Sequence, residues 1–375
     1  MSGIYIHIPF CTKACHYCDF HFSTSLKSKE RVLEAMTKEI SLRNKEFGLN
    51  FSSLYFGGGT PSVLKNDELK QIFNVLEKEI NLNKLKELTI EINPEDVTKS
   101  KLDGYMELGF NRLSLGVQSM DNEFLKWMNR AHSESQVKKA LKICKSVGFN
   151  NINLDFIYGF PANLNRDYKK ELFEIIDLEP THISCYHLTI EKGTYFEFLK
   201  RKKRLNEIED FQSEEEYLWI SDTLTGLNYN HYELSNFSKN KYQSFHNSNY
   251  WNQQPYIGIG PSAHSYVNNT RRWNISNNMA YCEKINANQK YYEEEHLCSL
   301  DIYNEKIMLG LRTKKGVLIN SVLKNLNDDQ KCIFESKLKK MKSDGLVVIN
   351  NENMVIPKSK WLMSEFVSRE LFILR

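Results

Sequence analysis

The stretch Tyr5-Ile-His-Ile-Pro-Phe-Cys11-Thr-Lys-Ala-Cys15-His-Tyr-Cys18 sets three cysteines directly behind a short apolar run. Ile4–Ile8 reads as a β-strand, and the cysteines then lie on the loop at its C-terminal end. The spacing Cys11-x3-Cys15-x2-Cys18 puts three thiols on one tight loop. That is enough for three irons of a cubane iron–sulfur cluster and leaves the fourth iron without a protein ligand. A zinc site completed by His16 or His21 competes with this reading, but structural zinc is usually held by paired C-x2-C hooks, which this spacing does not supply. The other cysteines, Cys144, Cys185, Cys282, Cys298 and Cys332, are scattered singly, as free thiols in a reducing compartment are.

Outward from this loop, short apolar runs alternate with amphipathic segments up to about residue 235, the signature of repeated βα units. Further strands are expected at Ser53–Phe56, Leu88–Ile92, Arg112–Val117, Asn151–Ile157 and His182–Leu188. Val32, Leu33, Met36 and Ile40 repeat at helical spacing after Ser28, and Val137, Ala140, Leu141 and Cys144 do so after Ser133. Both serines are N-cap candidates, and Gly109 and Gly148 are placed to stop helices. Counting alone allows a doubly wound sheet or an open three-quarter barrel. Polar or special residues cluster at the strands' C-terminal ends: the cysteine loop, Gly57-Gly58-Gly59-Thr60, Glu91, Gln118 and Asp155. That convergence on one rim favours a partial (β/α)6 barrel with its chemistry at the mouth. The glycine run lets backbone approach a ligand and present N–H groups to a carboxylate.

Residues 236–300 are rich in Asn, Ser, Tyr and Gly and read as a linker or cap. Residues 301–375 carry helical periods and an alternating segment, Gly345–Pro357, turning at Asn350-Asn351-Glu352-Asn353. This resembles a winged-helix domain, used here as a cap or acceptor-docking unit. Within the middle segment, Gly258-Ile-Gly-Pro-Ser-Ala263 imitates a dinucleotide fingerprint, but no βαβ unit surrounds it, so NAD and FAD are rejected. The 50 Lys and Arg nearly balance the 47 Asp and Glu, which argues against nucleic acid as the main partner. Lys200–Arg204 is the one basic block, and acidic residues follow it at once, as in a solvated linker leading into a helix start. No apolar stretch approaches bilayer length, and the N-terminus lacks the features of a signal peptide. The expectation is a cytoplasmic protein with at most peripheral contact to a membrane.

The cysteine spacing at the end of the first strand, with the glycine loop after the second, resembles the radical S-adenosylmethionine (SAM) superfamily. The resemblance implies a [4Fe-4S] cluster on Cys11, Cys15 and Cys18. It also implies that SAM chelates the open iron and is reductively cleaved to a 5′-deoxyadenosyl radical, in a barrel mouth that excludes water. Carried over position by position, Tyr5, Tyr17, Gly58, Gly59, Thr60, Glu91, Gln118, Arg130 and Asp155 match residues that contact SAM in the family.

Longer words extend the likeness over the whole chain. Tyr5-Ile-His-Ile-Pro-Phe-Cys11, Gly57-Gly-Gly-Thr-Pro-Ser62, Gly116-Val-Gln-Ser119 and Asp155-Phe-Ile-Tyr-Gly-Phe-Pro161 are similar to the oxygen-independent coproporphyrinogen III oxidase group. That group holds both the oxidase and a branch of heme chaperones. Three features favour the chaperone branch. Phe20 stands where the oxidase has a further cysteine, the first strand begins almost at Met1 without the oxidase's N-terminal arm, and His246-Asn-Ser-Asn-Tyr250-Trp251 fits the HNxxYW motif of the chaperones. The implied function is binding heme and passing it to acceptor hemoproteins, membrane-bound ones included, with porphyrin oxidation as the alternative. His246 is the candidate axial ligand, with Tyr250 and Trp251 stacking on the porphyrin, and His187, His231 and His264 are alternative ligands.

Overall fold

The computed structural model describes residues 2–374. Six parallel strands, β1 (Ser2–Ile8), β2 (Phe51–Gly58), β3 (Glu87–Ile92), β4 (Arg112–Gln118), β5 (Ile152–Tyr158) and β6 (His182–His187), lie side by side in chain order. Each coincides with a predicted strand to within a few residues. A doubly wound sheet would reverse its order at a switch point. Strands added always on the same side wind an open barrel, and that is the order found. In β1, Ile4, Ile6 and Ile8 are fully buried, while the alternate residues Tyr5 and His7 line one cavity. The helix Glu134–Val147 is capped by Ser133 in a reciprocal box with Gln136 and ends on left-handed Gly148 (φ 110°), as the sequence leads one to expect. Ser28 behaves otherwise. A 3₁₀ turn at Leu26–Ser28 runs straight into the helix Lys29–Leu42, so the Ser28 side chain makes no cap bond.

The sheet does not stop at the barrel. Beyond β6 it continues antiparallel through β7 (Asn230–Glu233) and β8 (Asn236–Ser238), which pairs with β6. Beyond β1 come β9 (Tyr256–Ile259), parallel to β1, and then antiparallel β10 (His264–Val267), β11 (Thr270–Asn274) and β12 (Tyr292–His296). The result is one 12-stranded sheet. Residues 236–300, expected as a linker or cap, are therefore largely an extension of both flanks of the barrel. A buried polar network fixes the larger flank. The Glu39 carboxylate accepts bonds from Gly260 N–H, Asn274 Nδ2 and Tyr281 O–H, while Arg43 donates to the Gly258 carbonyl and Ser265 Oγ. Both Glu39 and Arg43 are buried, so each needs these partners to offset desolvation. The glycines of the imitation fingerprint serve this turn: a Cβ on Gly260 would lie 2.6 Å from the His7 carbonyl oxygen.

Residues from Ser299 onward form a helical unit with a small sheet of β13 (Val317–Leu318), β15 (Asn353–Val355) and β14 (Val348–Asn350). The predicted hairpin turn is present, with Asn351 and Glu352 both at positive φ. This unit closes the β7 edge through Leu234 N–H to the Arg312 carbonyl and Lys314 N–H to the Tyr232 carbonyl. Lys200 and Arg201 pair with Glu207 and Glu197 at the end of the helix Tyr195–Arg201, so the basic block is solvated as expected but closes a helix, and the next helix starts only at Asp210. No helix among the described residues is long and apolar enough to cross a membrane.

Candidate functional site

A cavity of about 410 Å³ opens at the C-terminal ends of β1 to β6. Cys11, Cys15 and Cys18 all line it, together with Tyr17, Gly58, Gly59, Thr60, Glu91, Gln118, Arg130 and Asp155. Of the predicted SAM residues only Tyr5 is missing from this lining; its ring opens onto a neighbouring cavity.

Two side chains act on the thiols directly. Thr60 Oγ1 donates to Cys11 Sγ at 3.3 Å and Arg130 Nη1 donates to Cys15 Sγ at 3.4 Å. Arg130 is itself held by Asn93 Oδ1 and the Gly116 carbonyl, both at 2.7 Å. Burial pushes the Cys11 thiol up to about 11 and the Cys18 thiol up to about 12. The Cys11 and Cys18 thiols therefore stay protonated until a metal displaces their protons. A donor set of three thiols, a hydroxyl and a guanidinium suits a thiolate-bound cluster, because donors aimed at sulfur stabilise its charge.

The Gly57–Thr60 loop is built by close approach, although not in the expected way. A Cβ on Gly59 would lie 2.6 Å from the Phe10 carbonyl oxygen, and one on Gly58 (φ 112°) would lie 2.7 Å from the His7 ring. However, Gly59 N–H donates to the Ile8 carbonyl and Thr60 N–H to the Phe10 carbonyl. These amides are spent on locking the cysteine loop to β2, and so they are not presented to a ligand carboxylate. Deeper in the mouth, Glu91 accepts from Tyr55 O–H at 2.8 Å and Asp155 from Asn153 Nδ2 at 2.8 Å. Burial, with Asp155 nearby, raises the Glu91 carboxyl to about 7, and burial also raises Asp155. Two carboxyls in one dry mouth are prepared to receive hydroxyl or ammonium donors. Gln118 adopts a left-handed φ of 67° where the β4–β5 register slips, which is how it reaches the rim.

The zinc alternative gains neither His16 nor His21 as a partner. His16 Nδ1 bonds the Trp127 carbonyl and His21 Nε2 bonds Asn278 Oδ1, both at 2.8 Å, and neither lines the cysteine cavity. Asn93 was missed in the sequence, although it follows β3 at the same rim as the residues that were found.

His246 lies at the opposite end of the barrel, against Gly3 and Ser53 near the starts of β1 and β2. It is 2% exposed, Nδ1 bonds Ser53 Oγ at 2.9 Å, and Nε2 bonds Tyr250 Oη at 2.8 Å. With both ring nitrogens engaged and the ring buried, His246 is not offered to a heme iron, which corrects the axial-ligand expectation. Its helix, Phe245–Trp251, is stapled to the barrel floor by Glu87, whose carboxylate accepts from Ser244 Oγ and from the N–H groups of Phe245 and His246. Trp251 is half-buried on this helix and lines a separate small cavity, whereas Tyr250 faces the neighbouring cavity next to β1. Among the alternative ligands, His231 is buried, bonded to Ser221 and the Leu234 carbonyl, and packed on Phe237 and Trp361. His187 stands at the cysteine cavity and His264 at the neighbouring one.

A three-cysteine loop ending the first strand of an open parallel barrel, with polar residues from the next strands around it, defines the radical SAM class. Residues 5–186 match the radical SAM superfamily and residues 297–361 match the HemN C-terminal domain. The chain is 33% identical over 335 residues to "Heme chaperone HemW" of Lactococcus lactis subsp. lactis (strain IL1403), covering 89% of this chain and 86% of that one. It is 31% identical over 359 residues to the protein of the same name from Bacillus subtilis (strain 168), covering 95% and 94%. Among solved structures, coproporphyrinogen III oxidase (HemN) from Escherichia coli superposes with a TM-score of 0.84 at 20% identity, over 99% of this chain and 90% of that one. The chain belongs to the radical SAM superfamily and, within it, to the coproporphyrinogen III oxidase-like family that includes the HemW proteins.

Proposed function

We propose that this protein is a heme chaperone. It binds heme, passes it to acceptor proteins, and carries a [4Fe-4S] cluster on Cys11, Cys15 and Cys18 with SAM beside it. The observation that carries the proposal is the single rim cavity uniting the three cysteines with Tyr17, Thr60, Glu91, Arg130 and Asp155, in a chain similar along most of its length to proteins named heme chaperone HemW. When bound, the cluster supplies low-potential electrons and one open iron to a sulfonium ligand. The chain's own residues do the rest. Thr60 and Arg130 donate to sulfur and stabilise the thiolates, Glu91 and Asp155 would accept from the hydroxyls and ammonium of SAM, and the Gly59 and Thr60 amides hold the cysteine loop in register with β2. Phe20, at the edge of this cavity, adds no thiol to the set.

The test is anaerobic cluster reconstitution of the full chain. Iron and sulfide content, heme uptake, heme transfer to an apo-hemoprotein and coproporphyrinogen turnover are then measured side by side. The expected result is a cluster lost in Cys15→Ala, heme uptake and transfer by the wild type, and no decarboxylation. Turnover of coproporphyrinogen without heme transfer would replace this reading with the oxidase.

A further inference from the structure

A second cavity, of about 570 Å³, lies beside the rim cavity between β1 and the antiparallel flank β9–β10. The two cavities share Asp19 and Phe20 as a common wall. Its volume falls in the range of small-molecule sites. Four tyrosines, Tyr5, Tyr250, Tyr256 and Tyr266, line it together with Met308 and Leu309, and Tyr250 and Tyr256 meet edge to face with centroids 4.6 Å apart. Flat apolar rings with polar tips suit a large planar aromatic ligand.

Three histidines reach this cavity, and their hydrogen bonds separate them. His7 is committed at both nitrogens, Nδ1 to Tyr5 Oη at 3.1 Å and Nε2 to the His21 carbonyl at 2.9 Å. His21 has Nε2 on Asn278 and its ring beside that of His7. His264 has no hydrogen bond to either ring nitrogen from another described residue, is exposed to the cavity, and has its ring oriented by stacking near Trp273 at 6.4 Å. Partial burial and the nearby Arg271 lower its pKa, so the imidazole is neutral and able to ligate. Arg271 is already paired with Glu305 and Glu295, which leaves ring stacking and ligation as the means of recognition.

We propose that heme binds in this second cavity, stacked on its tyrosines, with His264 as axial ligand to the iron. The inference rests on the heme-chaperone reading and gives it a location: cargo on one side of Phe20, cluster and SAM on the other. It also gives the HNxxYW segment a different task, since His246 orients Tyr250, a wall of this cavity, from the barrel floor.

The test titrates ferric heme into the cluster-reconstituted full chain and into His264→Ala and His246→Ala, reading the Soret band, the electron paramagnetic resonance of the iron and the affinity. Retained cluster absorption shows that each variant is folded. The expected result is a changed Soret band and at least about tenfold weaker binding in His264→Ala, with the wild-type spectrum restored by added imidazole. His246→Ala, which removes only the support of Tyr250, weakens binding but keeps the histidine-ligated spectrum. A His264→Ala variant with wild-type spectrum and affinity overturns the site alone. A wild type that takes up no heme overturns the heme-chaperone reading as well.

Discussion

His246 and Tyr250 are joined by a 2.8 Å hydrogen bond across one turn of the helix Phe245–Trp251, and through it the barrel floor holds an aromatic wall of the second cavity. The imidazole is fully desolvated, and burial lowers its pKa to about 3, so the ring is neutral in the folded protein. Replacing it with alanine leaves a hole, strands Tyr250 Oη and leaves Ser53 Oγ with only the 3.4 Å bond from Asn249 Nδ2. His246→Ala is expected to lose about 3 kcal/mol of stability, the usual size for a buried, hydrogen-bonded side chain. Urea unfolding checks this, and an unchanged midpoint would show that the ring does not support the floor.

Arg130 ties the helical side of the mouth to the cysteine loop with one guanidinium on Cys15, Asn93 and Gly116. Lysine keeps the charge but not the fork. Arg130→Lys is expected to retain the fold, measured by circular dichroism, while the reconstituted cluster bleaches several-fold faster in air. Equal bleaching rates would separate Arg130 from cluster protection.

Gly59 has room for no side chain, since an added Cβ meets Phe10 backbone at 2.6 and 2.9 Å. Gly59→Ala is expected to cost about 2 kcal/mol and to lower iron content after reconstitution. Gly48, whose Cβ would meet nothing within 4 Å, is the control, and Gly48→Ala is expected to be neutral or stabilising by up to about 1 kcal/mol. If both variants behave alike, the close contact with Phe10 is not what fixes the loop.

Glu91 gives stability a pH signature. Its folded pKa is raised from 4.5 to about 7, so the folded state keeps a proton that the unfolded chain releases across that window. The carboxyl therefore destabilises the fold progressively as pH rises from 4.5 to about 7, and by a constant amount above. His7 and His246, whose pKa values fall to about 4 and about 3, act in the opposite sense as pH rises towards 6.5. Subtraction isolates the carboxyl. The stability gain of Glu91→Gln over wild type, measured without SAM, is expected to grow through this window and then level off. A gain independent of pH would mean that Glu91 titrates normally.

The barrel and the cysteine loop were legible because both are local. The β-branched runs, the Ser133 cap, Gly148 and the cysteine spacing each report on a few consecutive residues, and the rim follows once parallel strands share a direction. The flank β9–β12 was hidden because its strands, such as His264–Val267 and Thr270–Asn274, carry no apolar run. What holds them is Glu39 and Arg43, charged residues beside the apolar stripe whose buried partners, Gly258, Gly260 and Asn274, are distant in sequence. His246 misled for a related reason: an imidazole among aromatics suits an iron ligand and a buried hydrogen-bonded spacer equally well, and only Ser53, distant in sequence, distinguishes them. The Gly59 and Thr60 N–H groups were likewise claimed by the Ile8 and Phe10 carbonyls, a long-range competition that composition does not reveal.

The outermost strand β12 bears three successive glutamates, Glu293, Glu294 and Glu295, all exposed. A bare row of amides and carbonyls there would otherwise recruit a strand from another molecule. Closely spaced negative charge repels any such newcomer, so this long sheet carries its own guard against fibrous self-association at the edge opposite the one the C-terminal unit closes.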